Sequence, residues 1–289
     1  MKIGNELHNA WTSARKRTRV RRWTRNSFFY FVLVVVMIIL LFPFVWMILT
    51  SLRTQVENTS AVPVWFFKPT MENYRSVLDQ HHFLSYTLHS FIVAALATGI
   101  GLVIGLPAAY SISRYKQKRL AFAILSARVT PYITFLVPWF AAFRFLHMVD
   151  TYTALVSTFL IVSLPLIIWL MITFFDDVPV DLEEAARIDG AGEAEAFLKI
   201  VVPLSTPGIV ASAILAFIFS WNQFLFALVL SGPHTQTVPV AVFNFITYGE
   251  INYGGLAAAA VLITLPVVLL SLFIQRWIVQ GLTMGAVKG

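Results

Sequence analysis

Eight of the chain's fourteen carboxylates fall within residues 176–206: Asp176, Asp177, Asp181, Glu183, Glu184, Asp189, Glu193 and Glu195. For acid–base, nucleophilic or metal chemistry they would need convergent partners. The chain has no cysteine, and its six histidines (His8, His81, His82, His89, His147, His234) are scattered elsewhere. The spacing suits protein docking instead. Asp181 followed three residues later by Glu184 fits a capping box that opens a helix. Leu182, Ala185, Ala186 and Ile188 then place small and apolar groups close to one face. Gly190 stands where a turn with positive φ would end that helix. A second helix is expected over about 193–202, with Phe197, Ile200 and Val201 on its apolar side. Pro203 should end it, and Pro207 should start the next element. Alanines on such a helix let another backbone come close, and the acids suit a basic cleft.

The elements that hold this loop are set by lipid. The chain is 58% hydrophobic and 12% charged, whereas soluble domains carry about 25% charged residues. Six apolar runs, 28–49, 91–110, 120–143, 154–175, 207–230 and 256–274, lie near the roughly 20 residues that one crossing needs. Backbone polar groups in hydrocarbon must pair internally, so each run reads as a helix. The expected fold is all-α and polytopic, with six transmembrane helices. The first run is too long for a signal-peptide core and is retained as a span. Pro131 and Pro138 should bend or break the third. Sixteen Lys and Arg fall on the side of the N-terminal tail and four on the other, with Arg128 inside a run. This bias puts both termini in the cytoplasm. It also makes the net charge of +7 an orientation signal rather than a sign of nucleic-acid binding. In the long outer loop 50–90, Trp65, Phe66 and Phe67 read as an interfacial anchor or partner contact, and His81-His82 as a surface pair rather than a metal site.

Glu184-Ala185-Ala186, then Gly190, Ile200 and Pro203, reproduces the spacing of the EAA motif, and the chain thereby resembles the permeases of binding-protein-dependent ABC importers. Residues 184–191 resemble the carbohydrate-uptake branch, as does Trp221-Asn222-Gln223-Phe224-Leu225-Phe226-Ala227-Leu228. The C-terminal run from Gly281 to Gly289 resembles the tail of the six-span maltose-type inner-membrane subunit. Val202 stands where that pattern has leucine, and His89-Ser90 where span two usually opens with Asn-Ser. The resemblance implies a basic N-terminal tail (1–27), a six-span permease domain (28–278, coupling loop 176–206) and a C-terminal tail (279–289). It implies an EAA-type coupling helix, in which Glu184, Ala185, Ala186, Asp189 and Gly190 dock on an ATPase. Gly281, Gly285 and Gly289 would face the ATPase dimer. The partners it implies are a second permease, an ATP-binding subunit dimer, an extracytoplasmic solute-binding protein, a sugar and membrane lipid.

Nothing reads as Gly-x-x-x-x-Gly-Lys-Ser/Thr, so ATP and Mg are expected on the partner and no cofactor on this chain. Arg128 lies about 13 Å along its run at 1.5 Å per residue, where an arginine costs about 2.5–3.5 kcal/mol on insertion scales. It either lines the path and favours an acidic sugar or sugar phosphate, or it pairs or snorkels. Trp139, Trp169, Trp221 and Asn222 have the chemistry to stack on or hydrogen-bond a sugar; the alternative for each Trp is packing. A secondary transporter would need buried coupling residues and an inverted repeat, and a membrane enzyme a convergent site. Neither pattern is present.

Overall fold

The computed structural model describes residues 29–80, 82–247 and 250–286. Helix α1 (Phe29–Ser51) is a long apolar rod with none of its most apolar window buried. A capping box between Thr54 and Glu57 opens the short α2 (Gln55–Asn58), and α3 (Glu72–Gln80) leads into α4 (Phe83–Arg114). At this end the Arg53 guanidinium lies 4.8 Å from the Trp46 ring centroid and 4.9 Å from that of Phe67. Trp65 meets Trp46 edge to face, so the loop aromatics anchor the end of α1.

The third crossing is broken. Helices α5 (Lys118–Val129) and α6 (Ile133–Phe145) meet at 88°. Pro131 has no N–H to continue the ladder and forces the preceding residue out of helical conformation. Thr130 accordingly sits at φ −64°, ψ 128°. Pro138 lies inside α6 without ending it. After α7 (Tyr152–Asp176) comes α8 (Val180–Ile188), then α9 (Glu193–Ala196), a π turn (Phe197–Val201) and α10 (Val202–Leu204). The segment Glu193–Leu204 meets α11 (Thr206–Trp221) at 78°. Residues 207–230 are not one helix: α11 stops at Trp221, and α12 (Leu225–Leu230) follows after Asn222–Phe224. A short α13 (Val238–Ala241), a 3-10 turn and a two-stranded antiparallel ribbon, Ile246–Thr247 with Glu250–Ile251, precede α14 (Tyr253–Ala286). Among the described residues four helices are long and apolar enough to cross a membrane, and the two bent pairs raise this to as many as six.

Helices α4 and α7 form the centre, with α11 packed on both. Gly101 and Gly105 make this possible. A Cβ on either would stand 2.9 Å from the Ile167 side chain, the close approach that small residues one turn apart allow. One core cluster joins Val93, Phe143, Leu155, Phe159, Phe226 and Leu230 from α4, α6, α7 and α12. A second joins Ile112, Ile167, Met171, Phe175, Val201 and Ala216 nearer α8. Side chains therefore fill the seam between α4 and α7, while a cavity of about 1180 Å³ lies between α4, α11 and α14, lined among others by Phe91, Phe217 and Trp221.

At the end opposite α8, Asp150 takes a left-handed φ of 60°. Its carboxylate accepts from the Gly232 and His234 amides (2.9 and 3.2 Å) and the Thr235 hydroxyl (2.7 Å). This latches the 146–151 turn to the loop before α13. Burial alone would raise the Asp150 carboxyl, but these hydrogen bonds outweigh it and hold it below the ordinary carboxylate range. A depressed acid stabilises the fold above its unfolded pKa and loses that contribution as pH falls through the folded value. The apparent melting temperature of the solubilised chain should therefore drop below about pH 4. Asp150→Asn tolerates the same backbone and should flatten that acid limb. An unchanged limb would assign the drop to other groups.

Candidate functional site

Helix α8 does not begin with the expected capping box. Its N-cap is Pro179, which offers no side-chain hydrogen bond, so Asp181 falls inside the first turn. Proline's fixed φ, here −59°, is already suited to helix entry, and the helix starts earlier than an Asp181 cap would require. Acids in the first turn still complement the helix dipole. Gly190, at φ 95°, supplies the left-handed turn expected of it. Pro203 does not end the second helix, which runs on to Leu204. The π turn closes with the Val202 amide donating to Phe197 O, and Pro203 follows at a helix start, where its missing N–H costs nothing.

One glutamate fixes α8 to the spans, and it is not the one sequence spacing singled out. Glu183 is fully buried. Arg114, at the end of α4, donates from Nε to Glu183 Oε1 at 2.6 Å, and the Tyr110 hydroxyl donates to Oε2. Arg114 also donates to Phe175 O (2.8 Å), in the last turn of α7, and to Val178 O (3.3 Å), just beyond it. Arg187 stands 3.9 Å from Glu183 on its other side. Around this charge cluster, Tyr110, Phe175 and Phe197 form an aromatic trio with centroids 4.7–6.1 Å apart. Val201 is buried, and with Phe197 the apolar side expected of the second helix packs against the joint. The end of α4, the end of α7, α8 and the π turn are thus one rigid unit.

The opposite face of α8 is bare. Glu184, Ala185, Asp189 and Gly190 are exposed, Ala186 is half-buried, and Ile188 is 86% exposed. This isoleucine stands open between small residues and acids on a braced helix. Gly281 and Gly285 lie on the last turns of α14, and Gly289 lies outside the described residues.

The four residues expected along a path do not come together. Trp221 is largely buried, its indole donates to Ile263 O at 3.3 Å, and it lines the cavity between α4, α11 and α14. Trp139 stacks on Phe143 at 5.3 Å within the first core cluster. Arg128 instead meets Trp169 and Phe219, with its Cζ 5.5 and 6.0 Å from their ring centroids. Asn222 is exposed at the end of α11, three residues and so about one turn beyond Phe219. The periodicity of α11 separates Phe219 from Trp221 and would have placed Phe219 with Asn222.

The described residues thus form a polytopic helical bundle with an exposed, alanine-bearing helix braced at one end. The chain belongs to the family described as binding-protein-dependent transport system inner membrane components, whose profile matches residues 101–284. It is 39% identical over 258 residues to the trehalose/maltose transport system permease protein MalG of Thermococcus litoralis, covering 87% of this chain and 92% of that one. It is 36% identical over 254 residues to the sulfoquinovosyl glycerol transport system permease protein SmoH of Agrobacterium fabrum, covering 86% and 89%. The fold matches a bacterial ABC transporter involved in import of the acidic polysaccharide alginate, with TM-score 0.72, 20% identity and coverage of 85% and 93%. The chain is accordingly a multi-pass permease subunit of an ABC importer and not an enzyme; ATP hydrolysis belongs to a separate subunit. Permeases of this kind work with an ATPase and a solute-binding protein.

Proposed function

We propose that the chain is one of two permeases of a sugar importer, and that its α8 face of Glu184, Ala185, Ala186, Asp189 and Gly190 seats in a cleft of the ATPase. The observation that carries this reading is the contrast on α8: a bare alanine and isoleucine face in front, and the buried Glu183 joint behind. ATP binding can bias the spans only through an element that moves with them, and that joint ties α8 to both α4 and α7. The end bearing α8 is the cytoplasmic one, as the Lys and Arg bias favours, and both termini lie there. Gly281, Gly285 and Gly289 approach the ATPase dimer, which binds the ATP and Mg. Names of relatives that carry trehalose, maltose and a sulfoquinovosyl glycoside support a saccharide substrate. The two core clusters fill the seam between α4 and α7, so the substrate passes along the flank of the bundle. A flank needs a second wall, which a second permease supplies.

The test is co-purification of the tagged chain from detergent extracts of its native cells. An ATP-binding subunit and a second permease are expected to elute with it, with sugar uptake into proteoliposomes dependent on ATP inside. A chain that elutes alone and transports without ATP would overturn the reading in favour of a secondary transporter.

A further inference from the structure

Arg128 is a charge within the apolar bundle, on α5. Among the described residues it makes no ion pair, and no hydrogen bond is formed by its guanidinium; what meets it are the faces of Trp169 on α7 and Phe219 on α11. Three helices independently set its level. It lies about 15 Å along α5 from Lys118, Trp169 about 10 Å from the Asp176 end of α7, and Phe219 about 20 Å from the Thr206 end of α11. This is membrane depth, where ionisable side chains face a bundle interior or a watered cavity. The rings do not close over it: Trp169 is 43% and Phe219 46% exposed.

The backbone points the same way. Residues 130–132 leave the helix immediately after Arg128, and Asn222–Phe224 do so immediately after the Phe219 turn. Irregular backbone at this depth is tolerated only where it is buried in protein or lines a water-filled space. Two such breaks lie beside one unpaired guanidinium, and Asn222, the first residue of the second break, is exposed. A guanidinium forms paired charge-assisted hydrogen bonds with a planar carboxylate or a sulfonate, and aromatic faces suit the C–H side of a pyranose.

We infer that Arg128, set against Trp169 and Phe219 at the two helix breaks, binds the carboxylate or sulfonate of an acidic saccharide on its way through the importer. The inference rests on the permease reading and adds the charge of the substrate. The neutral sugar is held by the rings and Asn222, and the anionic group is selected by Arg128.

The experiment uses the co-purified complex in phosphatidylcholine nanodiscs, with methyl β-glucuronide and methyl β-glucoside as probes in equilibrium dialysis. The wild type should bind the glucuronide about tenfold more tightly, the scale of a charge-assisted hydrogen bond. Arg128→Gln should erase that preference and leave glucoside binding unchanged. Arg128→Lys keeps the charge without the planar fork and should retain part of it, which guards against misfolding of the Gln variant. Equal binding of both probes by the wild type, or a preference that survives in Arg128→Gln, would overturn the inference. So would loss of glucuronide binding in phosphatidylglycerol nanodiscs, which would assign Arg128 to a lipid headgroup. In each of these cases ATPase still co-purifying with the chain leaves the permease reading intact; its absence from the wild-type preparation would remove that reading instead.

Discussion

Glu183→Ala is expected to lower the melting temperature of the solubilised chain by about 10 °C. Removing one partner of a buried ion pair costs about 3–5 kcal/mol, because the other charge is left desolvated and unpaired. A chain of this size loses roughly 2–4 °C per kcal/mol. Here the stranded group is Arg114, whose side chain is 10% exposed and whose remaining partners, Phe175 O and Val178 O, are neutral. Arg114→Ala should do somewhat less damage, because Glu183 keeps Arg187 at 3.9 Å on its other side. The double variant should cost clearly less than the two single losses combined, with a coupling of about 1–3 kcal/mol. Additive losses would mean that the two side chains act separately and that no joint exists. A second readout separates stability from coupling. At a temperature where the Glu183→Ala chain is still folded, ATP turnover by the complex should continue while sugar uptake per ATP falls, since α8 would no longer move with α4 and α7.

Much of this was legible in the sequence because lipid leaves few choices. Apolar runs of crossing length must be helices, so six crossings followed from composition and spacing. Pro131 broke the third because a missing N–H is a local fact. Gly190 turned the chain at positive φ for the same kind of reason. The break at Asn222–Phe224 was not legible, since no proline or glycine marks it and the helix stops where α12 turns to pack on α6 and α7. The Asp181 cap failed because Pro179, two residues earlier, started the helix first. Glu183 was missed for a deeper reason. An acid beside another acid on a short polar helix reads as solvated, and its partner Arg114 is 69 residues away in the chain. Only the packing of α4 beside α8 turns a surface-like residue into the most buried acid of the site. Trp221 illustrates the converse: a residue with ligand chemistry is largely buried, while Phe219, two positions earlier, keeps an open face.

The neighbouring glutamate should behave in the opposite way. Glu184→Arg is expected to leave the melting temperature within about 1 °C of the wild type, because exposed substitutions away from caps and networks change stability little. Yet it should strip the ATPase from the purified complex. Glu184 is exposed, whereas Glu183 beside it is fully buried. A reversed charge facing a basic cleft adds repulsion to the lost attraction. Losing one partner of a hydrogen-bonded interfacial charge pair weakens binding by roughly thirtyfold or more. Ile188→Asp should have a similar effect by removing the apolar contact from the same face. The two adjacent positions therefore give a double dissociation, with stability at 183 and partner binding at 184. If Glu184→Arg retained the ATPase while Ile188→Asp lost it, α8 would still be the docking element, but its grip would be apolar and the acid incidental. If both variants retained it, the ATPase would have to engage another surface, and the joint behind α8 would serve only to hold the bundle closed at that end.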